Sequence, residues 1–254
     1  MAYDVGSGSS EDRETARIRD VFDSRDRTDR AGWKDAASRL LSDERMTRLD
    51  HLVRNEVMAE WPSIVDVGCG GGHDLAAWLE KGWPPQVLAG IDLVERRVAS
   101  ARERCPGVDI RVGSGTELPF DSGQFDVATA ATVFSSIRDV TSRRRLFAEM
   151  QRVVRGGGLV VVYDFVVRNP RNPDVVAMDG ARVAELAGRP PDGSERLSPF
   201  LHSVGLGMRI HPRIGRLIAR VSPPTHRLSF WRVGLATTPA GPRADETGTN
   251  HPET

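Results

Sequence analysis

The fold is decided by residues 64–74, which read Ile64-Val65-Asp66-Val67-Gly68-Cys69-Gly70-Gly71-Gly72-His73-Asp74. An apolar run that ends in an acid is followed by a glycine-rich turn, and apolar residues at helical spacing begin directly after it. This order predicts a strand, a tight turn and a helix. Glycine adopts positive φ without strain and lets a ligand lie against the backbone, while the first turn of a helix offers unpaired N–H groups. The stretch is therefore a candidate binding loop, with a tight turn that binds nothing as the alternative.

Two nucleotide-binding patterns can be compared with this loop. The dinucleotide fingerprint places a third glycine three positions after the second, where this chain has His73. A nicotinamide-dependent oxidoreductase is therefore disfavoured. The loop instead has glycine at alternate positions, Gly68, Gly70 and Gly72, and an acid, Asp66, two residues before the first of them.

A second acid follows at a spacing that nucleotide-binding folds use. Residues 86–93 predict a second strand that contains Asp92, about 20 residues after the glycine loop, where an acid binds a ribose hydroxyl in such folds. The later segments predict three more strands, at 108–112, 126–133 and 159–165, the last buried on both faces because it is continuously apolar. The motifs between them are Gly113-Ser114-Gly115, Leu118-Pro119-Phe120, Phe125-Asp126 and, after a predicted helix over about 142–154, Arg155-Gly156-Gly157-Gly158.

In their order, these motifs resemble those of the class I S-adenosylmethionine-dependent methyltransferases, of the small-molecule type related to the methyltransferase-11 and UbiE groups. The resemblance covers residues 64–165. It implies an α/β fold: a Rossmann-like seven-stranded sheet, with six parallel strands and an antiparallel seventh, flanked by helices. It also implies an N-terminal helical cap and a C-terminal lid segment.

The resemblance also assigns a cofactor site for S-adenosylmethionine, with S-adenosylhomocysteine as the product. The chain departs from the family at Ser114, where many relatives have an aspartate that accepts a hydrogen bond from adenine. The residues that match the family's cofactor positions are Asp66, Gly68, Cys69, Gly70 and Gly72 for the methionine part, Asp92 for the ribose, Leu93, Ser114, Gly115 and Thr116 around the adenine, and Thr132 and Phe134 at the end of the fourth strand.

Catalytic candidates come from the topology. The antiparallel seventh strand begins at the edge where the parallel strands end and where ligands bind in open α/β sheets. His226 precedes the predicted last strand, His211 follows the predicted sixth, and Tyr163, Asp164 and Asn169 lie at the end of the fifth. Histidine suits a general base because its pKa is near neutral. We take His226 as the candidate base, with His211 and Asp164 as supporting candidates. Taken singly, His226 is better explained by a hydrogen bond at a strand end, His211 by a solvated position before Pro212, and Asp164 by a cap on the following turn.

The domain organisation follows from the same patterns. We expect a disordered N-terminus over 1–12, a helical cap over 13–60, the methyltransferase domain over 61–236 with a lid insertion at about 186–225, and a disordered tail over 237–254. The cap helices either cover the cofactor cleft or pad one face of the sheet. In the last third, the predictions are a helix over 175–186, a sixth strand over 201–210, a basic and apolar helix over 212–221, and a last strand over 228–235.

The overall composition gives no sign of nucleic acid, a membrane or a metal as a partner. Lys+Arg and Asp+Glu are both 35, so no basic excess indicates nucleic acid or an anionic membrane. Cys69 and Cys105 form neither a disulfide framework nor a metal motif, and no metal is expected. No stretch has the ~18 apolar residues of a membrane span, and the N-terminus is not signal-like, so a cytoplasmic protein is expected. The oligomeric state is open.

The predicted function is methyl transfer to a small-molecule acceptor with a partly hydrophobic surface, at a hydroxyl of a sugar or secondary metabolite. Two alternatives remain open. One is methylation of nitrogen or carbon, for example on a quinone ring. The other is a methyltransferase-like binding or scaffold protein without turnover, for which the Ser114 departure is the only support.

Overall fold

The computed structural model describes residues 9–27, 36–167, 175–199 and 201–234. Most of the expected disordered N-terminus and the whole of the expected disordered tail over 237–254 lie outside these residues. Of the first twelve residues, the last three lie in helix α1, which begins at Ser10. Ser9 caps this helix: its hydroxyl accepts a hydrogen bond from the Asp12 amide at 3.1 Å, and the Asp12 carboxylate accepts one from the Ser9 amide at 2.9 Å. This reciprocal capping box fixes the helix start.

A seven-stranded sheet in the order β3-β2-β1-β4-β5-β7-β6 forms the centre of the molecule. Strands β1 to β5 pair in parallel, and β7 runs antiparallel to both β5 and β6, so six strands share one direction. The predicted α/β fold with an antiparallel seventh strand is therefore confirmed. The strands are β1 Ile64–Val67, β2 Leu88–Asp92, β3 Asp109–Val112, β4 Phe125–Ala131, β5 Val154–Phe165, β6 Gly193–Pro199 and β7 Pro224–Arg232.

The helices cover both faces of this sheet. The helices are α1 Ser10–Arg27, α2 Ala36–Glu56, α3 His73–Glu80, α4 Glu95–Arg104, α5 Val140–Val153, α6 Gly180–Ala187, α7 Leu201–Ile210 and α8 Pro212–Val221. One core cluster joins α2, α3 and α4 to one face, and the other joins α5 and α6 to the opposite face. Among the described residues no helix is both long and apolar enough to cross a bilayer.

The last third differs from its sequence prediction in three places. Residues 201–210 form helix α7 rather than the sixth strand, because Val204 and Gly207, three positions apart, face the molecule while Leu206 and Ile210 face solvent. The sixth strand is the polar stretch before it, β6, which pairs with β7. The last strand starts and ends earlier than predicted, and α6 starts later, at the Asp179 N-cap. Helix α8 has its predicted bounds. Within the expected lid region of about 186–225, residues 193–199 pair with the sheet as β6, and residues 201–221 form α7 and α8.

Gly158, the last of the three glycines near the start of the fifth strand, is needed for packing. The helix α5 ends at Val153, and β5 begins directly after it, so the glycines lie in the strand rather than in a separate stop. A Cβ at Gly158 would lie 2.3 Å from the Asp126 carbonyl oxygen, which is backbone and cannot rotate away. The close approach joins the start of β5 to the start of β4.

Gly158→Ala is therefore expected to destabilise the protein by about 2–3 kcal/mol, the upper range of overpacking costs. Gly234→Ala is the matched control, because no atom of the described residues lies within 4 Å of its Cβ position. The measurement is the urea unfolding midpoint of both variants and the parent. Equal midpoints for the two variants would contradict the packing explanation.

Candidate active site

The glycine loop between β1 and α3 takes a backbone shape that only glycine adopts at low cost. Gly68, Gly70 and Gly72 have φ of 77°, 52° and 75°. The loop is bonded to the end of β2, because the amides of Gly68 and Cys69 both donate to the Ile91 carbonyl oxygen, at 2.7 and 3.0 Å. Because the three glycines have no side chains, a ligand can lie directly against this backbone.

The three glycines meet different surroundings. A Cβ at Gly68 would lie 2.5 Å from the Val133 side chain, and one at Gly72 would lie 2.9 Å from the Cβ of Ala101. At Gly70 the nearest atom to a Cβ would be Arg97 Nη1 at 3.8 Å. The absence of side chains at Gly68 and Gly72 thus lets the glycine loop pack closely against the residue after β4 on one side and α4 on the other. Of the three glycines, Gly70 has the most open surroundings, so a ligand has room there.

Asp92 ends β2 and holds the glycine loop. Its Oδ2 accepts a hydrogen bond from the Gly70 amide and its Oδ1 accepts one from the Val94 amide, both at 2.9 Å. A carboxylate has about four acceptor sites, two on each oxygen. A carboxylate at this position can accept hydrogen bonds from the hydroxyls of a ribose. The loop and the acid therefore fit the nucleoside of S-adenosylmethionine, with Asp92 fixed in position before the ligand binds.

Asp66 lies buried at the end of β1, below the glycine loop. Its Oδ1 accepts a hydrogen bond from the Thr129 hydroxyl at 3.0 Å. Burial, and next the charge of Asp74, raise the pKa of Asp66 to about 7. A cationic ligand beside this carboxyl would favour its ionised form. The methionine part of S-adenosylmethionine carries an ammonium and a sulfonium, which suits such a site.

Arg45 of α2 supplies the buried positive charge at this site, and sequence reasoning missed it. Its guanidinium forms an ion pair with Asp74 and lies 5.0 Å from the centre of the Tyr163 ring. The signal was present in α2, where Leu41, Arg45 and Leu49 follow one another at four-residue spacing, and all three are buried. A charged residue in the middle of an apolar stripe indicates a buried partner.

The two N-terminal helices contact different parts of the molecule. Helix α1 lies over the ligand edge: Arg17 donates to the Ser136 carbonyl oxygen after β4 at 2.6 Å, and Phe22 lies 4.4 Å below the Arg97 guanidinium of α4. Helix α2 packs on one face of the sheet with Met46 and Val53 in the core. The first helix thus contacts the edge where the candidate site lies, and the second packs on the sheet and carries Arg45.

The expected adenine edge is a tight polar turn after β3. The hydroxyls of Ser114 and Thr116 are 2.8 Å apart, and the Thr116 amide donates to the Ser114 hydroxyl at 3.2 Å. A Cβ at Gly115 would lie 2.7 Å from Leu146, so Gly115 packs on the core. Leu93 is half-buried directly after Asp92. The Ser114 hydroxyl thus stabilises its own turn. An aspartate at this position would both stabilise the turn and bind adenine.

The three remaining residues expected at the cofactor site, Cys69, Thr132 and Phe134, lie in different surroundings. Cys69 is buried and its Sγ would lie 3.0 Å from a Cβ at Gly90, so its side chain packs against β2. Thr132 directly follows β4 and has φ 58°, which is strained for a β-branched residue, and such strain is concentrated at functional sites. Phe134 is fully buried beside Phe147, with ring centres 6.3 Å apart. The Phe134 side chain therefore belongs to the core on the α5 side.

His226, at the start of β7, lies in an aromatic stack at the sheet edge. Its ring is parallel to that of Tyr163 at 4.9 Å. Thr225 Oγ1 donates to the Ser198 carbonyl oxygen at 3.0 Å and lies 3.0 Å from His226 Nδ1. Because the hydroxyl has one proton, this arrangement assigns the proton of the imidazole to Nδ1 and the lone pair to Nε2. Burial lowers the pKa of His226 to about 4, so the ring is neutral at pH 7.

The structure does not bring the three catalytic candidates together. Asp164 lies on the opposite face of the sheet from His226, where it accepts hydrogen bonds from the amides of Ser135 and Phe165, both at 2.9 Å. Burial raises the pKa of Asp164 to about 6, and its contacts hold the turn after β4. His211 is exposed and caps α8, where its Nδ1 accepts from the Arg213 amide at 3.1 Å. Asn169 lies outside the described residues.

Comparison with known proteins places this site in a family. The protein-family model described as "Methyltransferase domain" matches residues 65–162 of the sequence. The ubiquinone/menaquinone biosynthesis C-methyltransferase UbiE of Geobacter sulfurreducens is 31% identical over 159 residues, covering 59% of this chain and 58% of that protein. The nocamycin O-methyltransferase of Saccharothrix syringae is 33% identical over 150 residues, covering 52% and 54%. The chain thus spans about half the length of the curated relatives it matches.

A solved structure has the same fold with the cofactor product bound. Geranyl diphosphate C-methyltransferase from Streptomyces coelicolor, in complex with S-adenosylhomocysteine, superposes with a TM-score of 0.53 at 16% identity, covering 74% of this chain and 77% of that one. The matched domain contains the glycine loop, Asp66 and Asp92, which fit this cofactor. Residues 65–162 therefore belong to the class I S-adenosylmethionine-dependent methyltransferase family.

Proposed function

We propose that the protein transfers the methyl group of S-adenosylmethionine to a hydroxyl oxygen of a small, partly hydrophobic acceptor, a sugar or a secondary metabolite. The observation that supports oxygen is the burial of His226 at the sheet edge beside Thr225, from which we infer a neutral imidazole with its proton on Nδ1 and an acceptor at Nε2. The Tyr163 ring stacks on the His226 ring with 4.9 Å between their centres, and the Phe165 ring lies tilted against it at 4.1 Å. These aromatic rings suit a hydrophobic acceptor.

The proton balance of the reaction is compatible with a base of low pKa. The acceptor oxygen attacks the methyl carbon in line with the carbon–sulfur bond, and S-adenosylhomocysteine leaves with the electron pair of that bond. The hydroxyl becomes strongly acidic as the new carbon–oxygen bond forms, so transfer of its proton to Nε2 of His226 is downhill even at a pKa of about 4. Positioning of the two reactants supplies the rest of the catalysis.

Carbon methylation is the second candidate, and the UbiE relative favours it. On that mechanism an activated ring carbon attacks the methyl group, and the proton leaves the ring in a later step. The alternative of a binding protein without turnover has less support, because the glycine loop and Asp92 are intact. Fold alone does not assign the activity.

His226→Gln is expected to lower kcat for a hydroxyl acceptor about 100-fold or more, the typical contribution of a positioned base, while KM for S-adenosylmethionine stays the same. His211→Gln is the matched control, because His211 is an exposed histidine that caps a helix. The measurement is transfer of a labelled methyl group to a panel of hydroxylated and quinone acceptors. Equal activity of the two variants would exclude His226 from the mechanism and favour the carbon acceptor.

Binding of S-adenosylmethionine is expected to tighten as pH rises through about 7, with release of a proton. In the free protein the pKa of Asp66 is raised to about 7, so the carboxyl is protonated below that pH. The cationic cofactor binds the ionised form and lowers this pKa, which releases the proton. Calorimetry in buffers of different ionisation enthalpy measures the release. Asp66→Asn should abolish it, whereas Asp109→Asn, at an exposed carboxylate, should retain it; a proton release that persists in Asp66→Asn would contradict the assignment.

A further inference from the structure

The neutral net charge of the chain conceals a local excess of positive charge. Residues 196–234 contain no aspartate or glutamate, so nothing within the segment offsets its basic side chains. Its seven arginines are Arg196, Arg209, Arg213, Arg216, Arg220, Arg227 and Arg232. The segment is the C-terminal end of the described chain, and its centre is the hairpin of α7 and α8.

Helix α8 presents two exposed stripes side by side. Ile214, Leu217 and Val221 are exposed by 39%, 61% and 73%, and their spacing of three and four residues places them on one side of the helix. Arg213, Arg216 and Arg220 are each one residue earlier and form a parallel basic stripe, also exposed. An apolar stripe beside a basic stripe is the pattern of helices that lie in a membrane interface.

Helix α7 extends the same surface. Leu206 and Ile210 are exposed by 59% and 69%, and Arg209 is exposed beside them. The ion pairs formed within the described part of the chain include none with Arg209, Arg213, Arg216 or Arg220. The charges on this surface are therefore not neutralised by the described residues and are available to an anionic partner.

The hairpin is a fixed part of the molecule. A Cβ at Gly207 would lie 3.0 Å from the Gly215 Cα and 2.6 Å from Ile218, so the two helices cross in close contact through glycines. Val204 on the inner side of α7 is fully buried. The inner sides of the helices are thus packed, and the exposed stripes face away from the core.

From these observations we propose that the outer face of α7 and α8 docks on an anionic membrane surface. The apolar stripe enters the boundary between head groups and acyl chains, and the arginines remain at the lipid phosphates. A second copy of this chain fits the surface less well, because a two-fold contact would bring the arginines of the two copies against each other. The face lies at the edge of the sheet where β6 ends and β7 begins, which is also the edge of the candidate active site.

The test is flotation of the full-length protein with phosphatidylcholine vesicles that contain or lack phosphatidylglycerol. We expect binding to the anionic vesicles that weakens at high salt, because salt screens exposed charges. Arg216→Gln with Arg220→Gln should lower the partition coefficient about 30-fold, at the usual contribution of each arginine near an anionic surface. Leu217→Ser with Val221→Ser should lower it by at least about tenfold through lost apolar burial.

Matched double variants elsewhere on the surface are the controls. Arg144→Gln with Arg182→Gln removes two exposed arginines on α5 and α6, and Met58→Ser with Val140→Ser removes two exposed apolar side chains. Both should bind vesicles as the parent does, and circular dichroism checks folding of all variants. Failure of the parent to bind either vesicle, equal losses in the controls, or a dimer in sedimentation that disappears in Leu217→Ser with Val221→Ser would overturn the proposal. None of these readouts depends on methyl transfer.

Discussion

The bonds between the glycine loop and the end of β2 are the constraint on which the rest of the site depends. The loop turns three times through positive φ, and the Asp92 carboxylate and the Ile91 carbonyl oxygen hold it by its amides. Because β1 and β2 are adjacent parallel strands, their ends and the start of α3 meet at one edge. The acid that would bind a ribose is thus positioned by the same backbone that would bind the methionine part, and neither is placed without the other.

The second constraint is electrostatic. Asp66 and Asp74 lie near each other beside Asp92, and Arg45 from α2 is the buried cation that faces them. Breaking such a buried pair by removing one partner leaves an uncompensated charge, which is costly. Helix α2 therefore does more than cover apolar surface, because it keeps this group of acids compatible with folding. The remaining negative character at Asp66 favours a cationic ligand.

The sequence predicted the parts of the fold that depend on local pattern. Residues 64–74 contain their own turn chemistry, and β5 is a continuous apolar run, so both could be recognised without other information. Residues 201–210 could not, because the choice between strand and helix there depends on packing against α2 and α8. A cap was already an alternative for Asp164 in the sequence, but its bond to the Ser135 amide could not be predicted, because the two residues become neighbours only in the folded chain. The capping role of His211 could not be predicted either, because it depends on where α8 begins.

The most direct test of the central claim, that the loop and Asp92 bind S-adenosylmethionine, is calorimetric titration of the purified protein with S-adenosylmethionine and, separately, with NADH. The account predicts binding of S-adenosylmethionine alone, weakened roughly 10- to 100-fold in Asp92→Ala through the loss of hydrogen bonds to a charged group. Asp109→Ala, at an exposed acid on β3, should bind as the parent does. Binding of NADH in preference to S-adenosylmethionine, or unchanged affinity in Asp92→Ala, would contradict it.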